Sequence, residues 1–167
     1  MLVWYDSISK MNFSALMEVY EEGNRETGRL NYPFESECMQ LRLAENDFAD
    51  YLREDFFRQD DAKYAVLEKN GEYVSALRLE RYQDGYLITG LETKSSQRRK
   101  GYARELMEAI LRDISVADRT WIYSHVSKSN TASMNLHKGL GFEKVHDYAV
   151  YLDGSVSTSA VTLRKKR

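Results

Sequence analysis

The chain has little of what builds a secreted, membrane-bound or metal-dependent protein. Its 167 residues include one cysteine, Cys38, and one proline, Pro33. A lone cysteine excludes an internal disulfide and any cysteine-built zinc site, and no other metal-ligand pattern stands out. No apolar run approaches the roughly 20 residues that span a bilayer, and no signal-peptide pattern opens the chain. A cytoplasmic protein with no membrane partner is the expectation. Excess charge of one sign is missing too. The 24 Lys+Arg against 26 Asp+Glu leave a formal net charge of −2, so nothing overall advertises nucleic acid. Internal repeats, low-complexity tracts and interdomain linkers are absent, and a chain of this length fits one domain, residues 1–167.

What is present is an ordinary globular composition, 43% hydrophobic and 30% charged, with one unusual stretch. Lys94-Ser-Ser-Gln-Arg98-Arg99-Lys100-Gly101-Tyr102-Ala103 gathers cations between two apolar patterns. Before it, Tyr86–Leu91 is β-branched and apolar, a buried strand. After it, Tyr102, Leu106, Ile110 and Ile114 recur every four residues, with Ala103, Met107 and Leu111 beside them, which makes a helix with a wide apolar face. The stretch is therefore a strand-to-helix turn. Gly101 and Ala103 leave the first helical turn nearly bare, so its unpaired N–H groups are open to an anion, most naturally a phosphate.

Read in order, Met1–Tyr5 is a short strand, and Ser9 or Asn12 caps a helix carrying Phe13, Leu16, Met17 and Tyr20. Gly23–Pro33 is polar, holds two glycines and reads as a loop. Phe34–Phe57 is helical again, as one helix or two broken at Glu45-Asn46-Asp47, with Phe34, Cys38, Leu41, Phe48 and Leu52 on one side. Cys38 on that face is expected to be a buried, inert thiol. Tyr64–Glu68, Tyr73–Arg81 and Tyr86–Thr93 form an antiparallel meander turned at Asn70-Gly71 and Asp84-Gly85. Gly90, inside the third strand, suits a bulge or a close backbone approach. Trp121–Val126 is a strand, Asn130–Gly141 a short helix, and Phe142–Leu152 with Val156–Arg164 a last hairpin around Asp153-Gly154. On the short helix, Ala132, Leu136 and Leu140 make a narrow core stripe. Asn130, Ser133 and His137 make a polar stripe beside it that suits a cofactor.

The spacing Arg98-x-x-Gly101-x-Ala103 resembles the acetyl-CoA signature of the GNAT superfamily of N-acetyltransferases. Asn130, His137 and Leu140-Gly141-Phe142 resemble its second signature, and the element order β-α-α-β-β-β-α-β-α-β-β is similar to the family's across the whole chain. The resemblance implies an α/β (α+β) fold with a mixed, mostly antiparallel twisted sheet flanked by helices. It implies acetyl-CoA as co-substrate, held by Leu91, Glu92, Thr93, Arg98, Arg99, Lys100, Gly101, Tyr102, Ala103, Asn130, Ser133 and His137. The pantetheine arm of coenzyme A would lie where the fourth and fifth strands part. Many family members carry a tyrosine where His137 stands, as the acid that protonates the leaving thiolate. His137 is the candidate acid here.

Acyl transfer to an amine also needs a neutral nucleophile. Glu92 is the first candidate base, with Glu80 and His125 as rivals. Its alternative is a simple ion-pair partner for Lys94 or Arg98. His146 reads as structural. The acceptor site is expected from the Gly23–Pro33 loop and its neighbours, with Glu22, Glu26, Tyr32 and Tyr73 as candidate linings and Arg25 and Arg29 opposing the acids. The implied partners are acetyl-CoA and an amine-bearing small molecule or peptide, with no nucleic acid and with a homodimer left open. A GNAT-fold module that binds acyl-CoA without catalysis is the alternative. A nucleic-acid binder using Lys94–Lys100 is a weaker third reading.

Overall fold

The computed structural model describes residues 1–113 and 121–166. Its frame is a seven-stranded sheet. The strands are β1 (Leu2–Tyr5), β2 (Lys63–Lys69), β3 (Glu72–Tyr82), β4 (Gly85–Thr93), β5 (Trp121–Ser127), β6 (Glu143–His146) and β9 (Ala160–Lys166), in the order β1-β2-β3-β4-β5-β9-β6. Every neighbouring pair is antiparallel except β4 and β5. The parallel pair follows from the intervening helix α3 (Tyr102–Asp113), since parallel strands need a crossover. Ile114, expected on its apolar face, lies outside the described residues.

Strand alternation divides the core in two. On one face Ala65, Leu67, Leu77, Leu79 and Ile88 meet Leu106, Met107 and Ile110 of α3 and Leu140 beyond α4 (Thr131–Gly139). On the other face Tyr64, Val66 and Ala76 meet Leu16, Met17 and Tyr20 of α1 (Phe13–Asn31) and Leu52 of α2 (Glu37–Glu54). Asn12, not Ser9, caps α1, accepting from the Ala15 N–H at 3.1 Å.

Several expectations are corrected, and one open alternative is decided. The Gly23–Pro33 loop does not exist, because α1 runs through it to Asn31. Gly28 is there for contact, not for a turn: a Cβ on it would lie 2.4 Å from the Gln40 carbonyl oxygen of α2. Helix α2 is unbroken at Glu45-Asn46-Asp47 and starts late, capped by Ser36. Phe34 precedes the helix and Cys38 lies in its first turn; both stand exposed, so Cys38 is not a buried thiol. The last hairpin is split. Strand β6 pairs with β9 in the main sheet, while β7 (Ala149–Val150) and β8 (Val156–Ser157) form a separate small ribbon around Asp153-Gly154. Ala132, expected in the core, is exposed.

Candidate active site

The sheet opens at its centre. The β4–β5 ladder runs from Gly85↔Trp121 to Ile88↔Ser124 and stops, although β5 goes on pairing with β9 to Ser127↔Ala160. The reason is local. Gly90 takes φ +59°, and the β3–β4 register shifts opposite it between Ala76 and Arg78. This is a bulge, and a bulge bends its strand. Tyr20 of α1 fixes it, donating its hydroxyl hydrogen to the Gly90 carbonyl at 2.6 Å.

A cleft of about 580 Å³ occupies the opening. Ser124, Val126, Asn130, Ser133 and His137 line it from the α3–α4 side. Tyr51, Arg78, Glu80, Thr89 and His125 line it from the α1–α2 side, with Tyr151, Leu152 and Asp153 of the ribbon at the rim. Residues from both faces share one space, so the cleft passes through the sheet. The ribbon is held over it by its backbone: the Val150 carbonyl accepts from Tyr82 Oη at 2.7 Å, and the Tyr148 carbonyl accepts from Thr162 Oγ1 at 2.8 Å.

His137 is almost wholly buried, at 1% exposure, and packs edge-on to Phe142. Its Nδ1 lies 2.8 Å from the Ser133 carbonyl, which can only accept, so Nδ1 carries the hydrogen. Nε2 is buried with no partner. Burial pushes the imidazole below its ordinary pKa, outweighing the Ser133 bond that favours the charged form. At neutral pH His137 is therefore a neutral ring with a bare Nε2. His125 differs. Its Nε2 lies 3.0 Å from the Val150 carbonyl, which places the hydrogen there, and its Nδ1 lies 3.2 Å from Thr162 Oγ1.

Glu80 is buried, and Tyr51 donates to its Oε1 at 3.3 Å. Burial raises its pKa, against the pull of Arg78 and of the Tyr51 bond. Glu92 sits apart from the cleft lining, with Arg98 at 3.8 Å. Burial also raises its pKa, while Arg98 lowers it and Glu22 raises it further.

The cationic turn lies past the end of β4. Leu91 lines the cleft. The Thr93 hydroxyl lies 3.1 Å from Ser75 Oγ, and the Thr93 carbonyl accepts from Arg98 Nε at 3.3 Å. Arg98 also pairs with Glu22 of α1. Arg99 and Gly101 both take positive φ, +63° and +82°, so the chain doubles back and Lys100 Nζ reaches Gln97 Oε1 at 2.7 Å. A Cβ at Gly101 would meet nothing within 4 Å. The Lys69 ammonium lies over the Tyr102 ring at 5.8 Å, and Ala103 is half-buried. With no side chain at Gly101 and a small one at Ala103, the first-turn N–H groups of α3 are open to a phosphate group. Asn130 caps α4, accepting from the Ser133 N–H at 3.0 Å.

The expected acceptor linings are not brought together. Glu22 serves Arg98, Glu26 is exposed, Tyr32 donates to Asp47 at 2.6 Å, and Tyr73 bonds Tyr5 at 2.5 Å. Arg25 pairs with Glu21 on α1, and Arg29 is exposed. Sequence reasoning missed Tyr51, Arg78, Thr89 and Tyr151. Only Arg78 left a signal, as a cation in the apolar run Val74-Ser-Ala-Leu-Arg78-Leu. Among the described residues, no cluster of His, Cys, Asp or Glu could hold a metal ion, and no helix is long and apolar enough to cross a membrane.

The family model for the acetyltransferase (GNAT) family matches residues 18–142. No curated protein matches the chain by sequence. Solved structures share the fold at low identity. The ribosomal-protein-S18-alanine N-acetyltransferase from Escherichia coli is 18% identical, with TM-score 0.61 over 99% of this chain and 94% of that one. The PaiA N-acetyltransferase from Thermoplasma acidophilum, solved with coenzyme A, is 14% identical, with TM-score 0.62 over 100% and 99%. An acetyltransferase from Streptococcus agalactiae is 14% identical, with TM-score 0.66 over 99% and 96%.

Proposed function

Because the chain belongs to the GNAT acetyltransferase family, we propose that it moves the acetyl group of acetyl-CoA directly to an amine acceptor, in a ternary complex. The observation that carries this reading is the through-sheet cleft. A two-substrate transfer needs the donor and acceptor to meet with reacting atoms within about 3–3.5 Å, and a gap lined from both sheet faces allows each to enter from its own side. Acetyl-CoA supplies an activated acyl carbon and a thiol leaving group. The open Gly101 turn fits its pyrophosphate, with Arg99 and Lys100 nearby as cations. Arg98 is already committed to Glu22, so its part is to hold the turn against α1.

Two proton-handling groups remain for the acceptor. An amine arrives as an ammonium and must lose a proton to attack. Glu80 is favoured over Glu92 for taking it, because Glu80 lines the cleft and Glu92 does not. A carboxylate with a raised pKa is a better base for this purpose than a solvated one. His137, being neutral, can protonate the leaving sulfur only after gaining a proton itself. The reaction supplies one, since the amine nitrogen loses a second proton as the amide forms. His137 Nε2 would take that proton and pass it to the thiolate.

The test is a panel of amines, small molecules and peptide N-termini, incubated with acetyl-CoA. Amine-dependent thiol release with a matching N-acetylated product by mass spectrometry is expected for a restricted group. Release that no amine accelerates would overturn the reading and leave an acyl-CoA-binding module.

A further inference from the structure

Arg78 feels the charge of Glu80 but, among the described residues, has no carboxylate at ion-pair distance. It lines the cleft on β3. What it does meet is aromatic: its guanidinium carbon lies 5.1 Å from the centre of the Tyr51 ring and 5.7 Å from that of Phe48. Rings over the flat face of a guanidinium support the charge but leave its N–H edge unused. Arg78 Nε is buried with no hydrogen-bond partner. So is the hydroxyl of Thr89, the residue directly opposite on β4. Two unsatisfied polar groups on paired residues are unusual in a folded protein, where such groups nearly always find partners.

The neighbourhood is built around this cation. A Cβ at position 90 would lie 2.9 Å from Arg78 Nη2, so Gly90 both opens the sheet and makes room for the guanidinium. Glu80 follows on the same strand face two residues along, roughly 7 Å away at the Cα atoms. The acceptor half of the cleft therefore offers a positive end and a negative end.

We infer that the acceptor is a short amino carboxylate, whose carboxylate docks on the Arg78 guanidinium and the Thr89 hydroxyl while its amine lies toward Glu80. A planar carboxylate matches the edge of a guanidinium with two parallel hydrogen bonds, which an alcohol or an amide oxygen cannot do with equal strength. A free amine without the carboxylate would leave Arg78 unpaired in the closed complex. The inference rests on the acetyl-transfer reading, which names the chemistry but not the acceptor.

The experiment compares glycine, β-alanine, leucine and phenylalanine with their carboxamides as acceptors, in wild type, Arg78→Met and Thr89→Val. In wild type at least one amino acid should exceed its amide by ten-fold or more in kcat/KM. Arg78→Met should bring that ratio close to one, and the milder Thr89→Val should reduce it several-fold. Equal use of acid and amide by wild type would overturn the inference, as would a preference that survives Arg78→Met. A loss that falls equally on both acceptors would also overturn it, since it assigns Arg78 to structure or to the acyl group. A second readout needs no turnover: calorimetric binding of N-acetylphenylalanine and its amide to the coenzyme A complex. Acid-selective binding that vanishes in Arg78→Met, without turnover of any amine, upholds the carboxylate site and refutes the transferase. Turnover without acid selectivity does the reverse.

Discussion

At the scale of single residues, His137 carries the sharpest consequence. With Nδ1 bonded to the Ser133 carbonyl and burial disfavouring the imidazolium, the neutral ring is the resting form. His137→Phe should lower kcat on the order of 10²-fold, the lower end for acid–base catalysis, and leave acetyl-CoA binding nearly unchanged. The pH profile gives the direction. A ring that must start neutral works above its lowered pKa, so the rate should hold through neutral pH and fall on acidification below the ordinary histidine value of about 6.5. Stability follows the same sign. The unfolded chain takes up the proton first as pH drops, so His137 withdraws stability as pH falls through its folded pKa. Parallel rate and unfolding titrations of wild type and His137→Phe check both; an unchanged rate per folded molecule removes His137 from the reaction.

Among the elements, the α1–α2 hairpin shows best how the same residue type can mean opposite things. Gly23 and Gly28 both lie inside α1. Around Gly23 a Cβ would meet nothing within 4 Å, whereas at Gly28 it would strike the backbone of Gln40 at 2.4 Å. Gly23→Ala should therefore stabilise by about 1 kcal/mol through helix propensity, raising Tm by about 2–4 °C in a chain of this size. Gly28→Ala gains the same propensity, but forcing two helices apart opposes it by about 1–3 kcal/mol, so Tm should fall or at best stay level. Thermal unfolding of the two variants decides; equal shifts in one direction would contradict the close approach. This pair also explains why the sequence misled. Two glycines in a polar stretch look like a loop, and the fact that overrules it, the nearness of α2, is a tertiary one. Phe34 and Cys38 misled in the converse way. Their spacing continues an apolar helical face, but the Ser36 cap starts α2 only after Phe34, and Cys38 stays exposed in its first turn although α1 meets that end through Gly28 at Gln40.

For the whole molecule, the meander, the crossover and the Gly101 turn were legible, because each is written in local signals: Asn70-Gly71, Asp84-Gly85, an apolar four-residue period, a glycine at a helix start. The acceptor half was not. Tyr51, Arg78, Thr89 and Tyr151, which surround the expected candidate Glu80, come from α2, β3, β4 and the ribbon, and only strand pairing and the parting of β4 from β5 bring them together. The central claim belongs to this scale: donor and acceptor meet in one cleft that pierces the sheet, and the acetyl group passes directly between them. Initial velocities over a grid of acetyl-CoA and acceptor concentrations, with intact-mass spectra of the protein after acetyl-CoA alone, test it most directly. The account predicts intersecting double-reciprocal lines and an unmodified protein mass. Parallel lines with a protein heavier by one acetyl group would contradict it.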